Sequence, residues 1–327
     1  MIPVSGLLAR VLLSSVAVCM LMPAGASEQT RIGGHEYVRL TDWARERNFS
    51  IQWIKRDEIA QLANATTKLR LEVHSPEAQI NGVAVRLLFP LASRGDGIYI
   101  SRLDLQTTFG PVLWPPKSRG KAIKTICLDP GHGGKDPGFR VGSNQEKRYT
   151  LLLAQELREE LTKAGYTVSL TRTHDTFLEL PDRPEVARRR KADLFISLHF
   201  NAAEASASSV QGAEVYCLTP AGAPSTNARG EGGGAGWFAG NRFNEQNMLL
   251  AYQLQKTLTR TLPAEDRGVH RARFAVLRDA AMPAVLIEAG FMSHPVEGHK
   301  IFSSAYRRQI ARAIVDGVNS YKTLISQ

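Results

Sequence analysis

Short apolar runs alternate with amphipathic stretches through the last two thirds of the chain. The runs read TICLD, DLFISLHF, AEVYCL and AVLIEAGF, and a stretch such as YTLLLAQELREELTK repeats apolar residues at helical spacing, ended by Gly165. Strands that alternate with helices predict an α/β fold with a largely parallel central sheet and helices on both faces. In such sheets, functional side chains collect beyond the carboxyl ends of the strands.

The part of the chain before this alternation has a different pattern. Residues 27–116 contain short alternating runs, among them KLRLEV and VAVRLLF, separated by turn signals such as INGV and RGDG. The segment YVRLTDWARERNFSIQWI predicts a strand, a short helix and a second strand. Prolines and glycines at residues 110–122 predict a connection, with the linker at 117–121. We therefore expect a small β-rich module at 27–116 and a second domain at 122–327.

The extreme amino-terminal residues form a third kind of segment. An arginine precedes an apolar run, and the small residues AGAS follow it. This layout is typical of a secretory signal peptide, which we predict at residues 1–26, so we expect an exported protein, periplasmic or at the cell wall. The apolar run is too short for a transmembrane helix. Lipid attachment at Cys19 is the alternative, disfavoured because the bulky Val18 precedes that cysteine.

Two cysteines remain after such cleavage, Cys127 and Cys217, each inside an apolar, strand-like run. We expect buried free thiols, although export would permit a disulfide if the two strands were neighbours. Because the sequence has no CxxC pair, cysteine is not an obvious metal ligand.

The net charge of the chain indicates which kinds of polymer it attracts. The 327 residues include 41 Lys and Arg against 31 Asp and Glu, a formal net charge of +10. A basic protein is attracted to anionic polymers, which include nucleic acid, anionic lipid and acidic cell-wall polymer. Basic and aromatic residues do not interleave as in the common nucleic-acid-binding modules, so we expect no nucleic acid partner.

Three predicted strands each end in a titratable residue. His132 follows TICLD, His199 closes LFISLH and Glu288 closes AVLIE, while Glu146 opens the first long helix. Two histidines and a glutamate can hold a catalytic zinc ion with one position left for water. A further carboxylate would move the proton of that water to a leaving amine. The sequence therefore supplies one residue for each of four roles at one predicted edge of the sheet.

Each of these residues also has an ordinary structural interpretation. A histidine after a strand is commonly a hydrogen-bonded loop residue, and Glu146 suits the first turn of any helix. Glu288 is harder to explain, because a carboxylate after five apolar residues is costly to bury without a partner. A phosphate-binding loop is excluded at DPGHGGKDPG, since Asp136 stands where that motif requires Ser or Thr.

The motifs of the second domain resemble the zinc-dependent N-acetylmuramoyl-L-alanine amidases of the cell-division and sporulation family. The matching pieces span residues 121–324 and read ICLDPGHGGKDPG, EKRYTLLLA, LTRTHDTFLELPDR, FISLHFNA, RGVHRARFAVLR and AVLIEAGFMS. The resemblance implies a three-layer α/β domain, with His132, Glu146 and His199 as ligands of Zn2+ and Glu288 as the catalytic base. It also implies a peptidoglycan substrate, cleaved between N-acetylmuramic acid and the L-alanine of the stem peptide.

The small amino-terminal module resembles, over INGVAVRLLFPLASRGDGIYISRLDL, the module shared with copper amine oxidases. This resemblance does not imply copper binding.

Other residues in the matching segments receive predicted supporting roles. Asp129 is a candidate to orient a ligand histidine, with turn capping as its alternative. Asn201 and Arg278 are candidates for contact with the glycan or peptide. Several cell-division amidases carry, in the segment that corresponds to 221–244, an inserted helix that blocks the zinc site. Here the many glycines of this segment predict a flexible loop near the site instead, with Trp237 and Phe238 as candidate contacts to substrate.

Two alternatives to the amidase remain open. One is a non-catalytic protein that binds the cell wall through the same cleft, and the other is a zinc exopeptidase with a similar core. For the mature chain we expect a monomer with no stable membrane insertion. A regulatory protein, if there is one, is not identified by the sequence.

Overall fold

The computed structural model describes residues 29–326 except 119, 121, 204–207 and 228–235. The predicted signal peptide at 1–26 therefore lies outside the described residues. Within them, no helix combines the length and the apolar character that crossing a membrane requires.

The amino-terminal third is built mainly from short strands. Its elements are β1 (Gln29–Ile32), β2 (His35–Arg39), α1 (Leu40–Glu46), β3 (Ser50–Lys55), β4 (Ile59–Ala63), β5 (Lys68–Glu72), β6 (Glu77–Ile80), β7 (Val83–Arg86), β8 (Ala92–Arg94), β9 (Gly97–Ser101), α2 (Arg102–Asp104), a π-helical segment (Leu105–Phe109) and α3 (Gly110–Leu113). The strand, helix and strand predicted over residues 37–54 are confirmed. The predicted connection begins later than expected, because helical structure continues from α2 through residues 110–113.

Strands and helices alternate through the rest of the chain. The elements are β10 (Thr125–Pro130), β11 (Arg140–Val141), β12 (Asn144–Gln145), α4 (Glu146–Lys163), β13 (Thr167–Leu170), α5 (Asp182–Arg189), β14 (Leu194–Asn201), β15 (Ala213–Leu218), a 3-10 turn (Ala239–Phe243), α6 (Asn244–Thr261), β16 (Asp266–Ala272), α7 (Ala275–Arg278), β17 (Ala284–Phe291), α8 (Pro295–Phe302) and α9 (Ser304–Ser326). The predicted α/β fold is confirmed.

One sheet crosses the whole molecule, in the order β13-β10-β14-β17-β15-β16-β7-β6-β5-β4-β3. Between β13 and β16, four of the five strand pairings are parallel, and β15 against β17 is antiparallel. Of these six strands, β15 and β16 run in the opposite direction, and β13, β10, β14 and β17 direct their carboxyl ends to the same edge of the sheet. Three of those four, β10, β14 and β17, lead to predicted site residues.

Apolar side chains alternate between the two faces of this sheet. On β10, Ile126 and Leu128 join a core that also contains buried residues of α4, α6 and α9. Cys127 joins the opposite core, with residues of α5 and α7. The three layers implied by the resemblance are therefore present. Cys217 points into the first core, so the two cysteines are buried free thiols on opposite faces, as expected.

The β-rich region joins the sheet rather than standing apart from it. Val85 of β7 pairs in parallel with Val269 of β16. The Ala84 N–H donates a hydrogen bond of 2.9 Å to Asp266, and the Tyr252 hydroxyl of α6 donates one of 2.9 Å to the carbonyl of Ile80. A separate four-stranded sheet, in the order β1-β2-β9-β8, completes this region.

Candidate metal centre and active site

Three neighbouring parallel strands deliver the candidate residues to one edge of the sheet. His132 lies two residues beyond the end of β10, and His199 lies near the end of β14. Glu288 on β17 is the register partner of His199, so the two side chains share a face of the sheet. Glu146 is the first residue of α4, which begins beside the same edge.

His132, Glu146 and His199 form a compact group of possible metal ligands, with one donor atom from each within 4.8 Å of the others. Glu146 lies between the histidines: its Oε2 is 3.0 Å from His132 Nε2 and its Oε1 is 3.0 Å from His199 Nδ1. The two imidazole rings are nearly perpendicular, with their centroids 4.9 Å apart. Two imidazoles and one carboxylate are a donor set that zinc accepts.

Backbone groups also hold Glu146 in place. The Phe139 N–H donates to Oε2 at 3.0 Å and the Phe200 N–H donates to Oε1 at 3.2 Å. Burial raises the pKa of Glu146, but hydrogen bonds and charge from His132 and His199 outweigh it and hold the pKa well below its usual value. Glu146 is therefore an ionised carboxylate with both oxygens directed at the histidines.

His132 is oriented by Asp136, which the sequence reasoning did not single out. Its Nδ1 lies 2.8 Å from Asp136 Oδ2, which leaves Nε2 directed at Glu146. Burial lowers the pKa of His132, but the two carboxylates outweigh it and raise the pKa overall. The backbone of His132 is left-handed, with φ of 61°. Such strain in a non-glycine residue is typical of functional positions.

Two glycines of the motif lie against the ligands. A Cβ on Gly131 would overlap the ring of His199. A Cβ on Gly138 would lie 2.5 Å from Glu146 Oε2 and 2.7 Å from His132 Cδ2, and Gly138 has a φ of +63°. Both positions therefore exclude a side chain because the backbone passes directly beside the ligand groups.

Two buried arginines anchor the loop that carries His132. Arg172 donates to the carbonyls of Pro130 at 2.9 Å and Gly131 at 2.8 Å. Arg183 donates to the carbonyl of His132 at 3.0 Å and forms an ion pair of 2.9 Å with Asp129. Arg183 and Asp129 are 2% and 0% exposed, so this ion pair is fully inside the protein.

Asp129 is connected to His132 through Arg183, which bonds to both, and its role in orienting a ligand histidine stays a prediction. Its oxygens accept hydrogen bonds from Arg183, Thr171 and Ser197, and neither histidine is among its described partners. The run DPGHGGKD offers two aspartates, and spacing alone could not distinguish between them. Asp136 reaches the ring because Gly133 and Asp136 pair backbone to backbone and fold the loop back on His132.

Glu288 has a different environment from Glu146. Its side chain is half-buried, and Oε2 is buried with no hydrogen-bond partner among the described residues. Removal from water raises the pKa of Glu288 well above its usual value, and the charges of Glu146 and Glu214 add to the effect. Glu214 is its register partner on β15. An unsatisfied carboxylate with a raised pKa is suited to accept a proton.

Glu214 is a buried carboxylate that the sequence reasoning missed. It accepts hydrogen bonds from Asn201 at 2.6 Å, Tyr216 at 2.8 Å and Arg267 at 3.0 Å. Its signal in the sequence is a glutamate inside the apolar run AEVYCL, which parallels that of Glu288 in AVLIEAGF.

A cavity of about 560 Å³ opens beside the two histidines. Asn201 and Arg278 are not among its lining residues. Asn201 donates its amide to Glu214, and the guanidinium of Arg278 lies 5.5 Å from the centre of the Phe238 ring. Contacts of Asn201 and Arg278 with substrate therefore stay a prediction.

Part of the predicted loop, residues 228–235, lies outside the described residues. In the described part, Trp237 is 59% exposed, and Phe238 packs against the core that contains Val276.

The fold and the site together define a class: a three-layer α/β protein with a His-Glu-His group of metal-ligand geometry at the carboxyl edge of its sheet. The sequence model of the N-acetylmuramoyl-L-alanine amidase family matches residues 126–320. The chain therefore belongs to this family.

Similar proteins agree with this assignment. The chain is 36% identical over 230 residues to N-acetylmuramoyl-L-alanine amidase AmiC of Neisseria meningitidis serogroup B, covering 63% of this chain and 55% of that protein. It is 33% identical over 224 residues to the probable cell wall amidase LytH of Staphylococcus saprophyticus, covering 68% of this chain and 64% of that protein. The chain thus spans between about half and two thirds of the length of these two relatives.

Among solved structures, an N-acetylmuramoyl-L-alanine amidase from Clostridium difficile 630 is 32% identical with a TM-score of 0.51, covering 62% of this chain and 97% of that one. The likeness is thus to nearly all of that chain and to under two thirds of this one.

Proposed function

We propose that this protein is an exported, zinc-dependent N-acetylmuramoyl-L-alanine amidase that cleaves the amide between N-acetylmuramic acid and the L-alanine of the peptidoglycan stem. The observation that carries the proposal is the joint placement of His132, Glu146 and His199 with Glu288 in a member of this family. One buried oxygen of Glu288 has no hydrogen-bond partner among the described residues.

The chemistry of the residues supports Zn2+ at this site. His132, Glu146 and His199 would hold the ion. When bound, zinc lowers the pKa of a water molecule and polarises a carbonyl oxygen. Asp136 would keep the His132 ring in the orientation that presents Nε2, since a carboxylate on the far nitrogen fixes the tautomer of a ligand histidine.

Glu288 would carry the proton transfer. It would accept a proton from the water whose oxygen bonds to the carbonyl carbon of the lactoyl group. The same carboxyl would then protonate the alanine nitrogen as the carbon–nitrogen bond breaks, so that the products are a free carboxylic acid on the glycan and a free amino terminus on the peptide. The raised pKa of Glu288 supports its role as the base, because a carboxylate with a higher pKa holds a proton more strongly.

The remaining parts of the chain would support this activity. We propose residues 1–26 as a signal peptide, 27–116 as a module of copper-amine-oxidase-like type, 117–121 as the linker and 122–327 as the catalytic domain. Substrate would bind in the cavity beside the histidines, with Asn201 and Arg278 as further contacts at its margins.

The test is digestion of purified peptidoglycan with and without a metal chelator, followed by mass spectrometry of the released fragments. The proposal predicts stem peptides with free amino-terminal alanine, lost on chelation and regained with zinc. Binding to the wall without release would favour the non-catalytic alternative. Release of single amino acids from peptide termini would favour an exopeptidase.

A further inference from the structure

Apolar side chains form one part of the wall of the cavity beside the candidate metal ligands. Phe177, Leu178, Leu180 and Val276 contribute to its walls. Such a wall suits the methyl groups of a lactoyl-alanine unit, so selection of the next residue of the stem peptide falls to the charged side chains of the lining.

Most charged side chains in the cavity lining are already paired. Asp129 pairs with Arg183, and Asp136 pairs with His132. The two others, Lys135 and Glu179, have no ion pair among the described residues. Lys135 is therefore the one cation of the described lining that is available to an anionic group of a ligand.

Lys135 is also held in a defined position. Gly133 and Asp136 exchange backbone hydrogen bonds of 2.9 and 3.1 Å, so that Lys135 lies within a tight turn. The Nζ of Lys135 lies 4.2 Å from the centre of the Phe177 ring, an arrangement that a cation–π attraction favours. Because Asp136 in turn contacts His132, the backbone of Lys135 is fixed relative to the candidate metal centre.

We propose that Lys135 is a specificity-determining residue that binds the carboxylate of the acidic residue following the scissile alanine. The inference rests on the proposed function. In a stem peptide the second residue is a γ-linked glutamate, whose α-carboxylate is free in some cell walls and amidated in others. An ammonium group without an ion pair among the described residues, on the rim of this cavity, distinguishes these two forms by charge.

The experiment compares hydrolysis of two soluble glycan fragments by the full-length protein and its Lys135→Met variant. The stems of the two fragments differ only in carrying glutamate or isoglutamine at the second position. For the wild type we expect a kcat/KM about three- to fivefold higher on the glutamate substrate, the range of an exposed ion pair. The difference should lie in KM and shrink in concentrated salt. Lys135→Met should abolish the preference, and Lys135→Arg should keep it.

Two control variants separate this effect from a general loss of charge or of fold. Lys163→Met removes a lysine from the far end of α4, where it pairs with Glu160, and should leave the preference unchanged. Glu179→Gln removes the lining carboxylate that has no ion pair among the described residues and should not lower the preference for the acidic stem. Thermal unfolding and zinc content of each variant would confirm the intact site.

The outcomes separate this inference from the proposed function. If the wild type and Lys135→Met cut both substrates with the same ratio, or if Lys135→Met lowers kcat equally on both, the inference is overturned and the amidase assignment stands. If the wild type cuts neither substrate while its site holds zinc, the proposed function fails and the inference fails with it.

Discussion

Replacing Gly138 with alanine tests whether the backbone just before β11 and the candidate ligands fit together as closely as the structure shows. The new Cβ would lie 2.5 Å from Glu146 Oε2 and 2.7 Å from His132 Cδ2, where ordinary van der Waals contact begins near 3.4 Å. The two ligands would therefore have to move by about 0.7 to 0.9 Å, well beyond the roughly 0.2 Å tolerance of a metal–ligand distance. We expect zinc affinity to fall by about 10- to 100-fold or more.

Gly142, in the turn between β11 and β12, offers a matched control. Its φ of +57° resembles the +63° of Gly138, but a Cβ there meets nothing within 4 Å. Both alanine variants should lose about 1–2 kcal/mol of unfolding free energy through the left-handed backbone. Only Gly138→Ala should lose zinc affinity, measured by competition with a chromogenic chelator. Equal affinities for the two variants would refute the close fit of backbone and ligands.

Three further predictions concern side chains at or near the site. Asp136→Asn should lower zinc affinity or turnover by about 10- to 100-fold, because Asn orients the His132 ring less strongly than Asp. Chelator competition measures the affinity and amide hydrolysis measures the turnover, and no change in either would contradict this prediction. Arg183→Met should lower the unfolding free energy by about 3–5 kcal/mol in denaturant titrations, because it leaves Asp129 charged and buried; a loss below about 1 kcal/mol would contradict it. Burial raises the pKa of Cys127 to about 12, so this thiol should resist alkylation at pH 8 until the protein unfolds; rapid labelling of native protein would contradict it.

The strand ends that carry the site could be predicted because their signal is local. Apolar runs such as LFISL and AVLI end in a titratable residue, and parallel strands bring their carboxyl ends together. The prediction that one site contains His132, His199 and Glu288 followed from that rule. The prediction that Glu146 joins them followed from its position at the start of a helix at the same edge of the sheet.

Other features depended on contacts that no local pattern encodes. β16 reads DRGVHRA, whose buried Arg271 and His270 hide the apolar periodicity of a strand. The choice between Asp129 and Asp136 as the partner of His132 depended on the backbone pairing of Gly133 with Asp136. The reversed direction of β15, which places Glu214 beside Glu288, is a property of chain topology that strand composition does not determine.

The turnover number of Glu288→Gln, at a zinc content equal to that of the wild type, decides whether this carboxyl carries the proton transfer. The substitution keeps the size of the side chain and removes its ability to accept a proton. We predict that kcat for release of amino-terminal alanine from glycan-linked stems falls by about 10²- to 10⁴-fold while zinc binding is retained. A zinc-loaded Glu288→Gln protein with turnover close to that of the wild type would contradict the proposed role of Glu288 in amide hydrolysis.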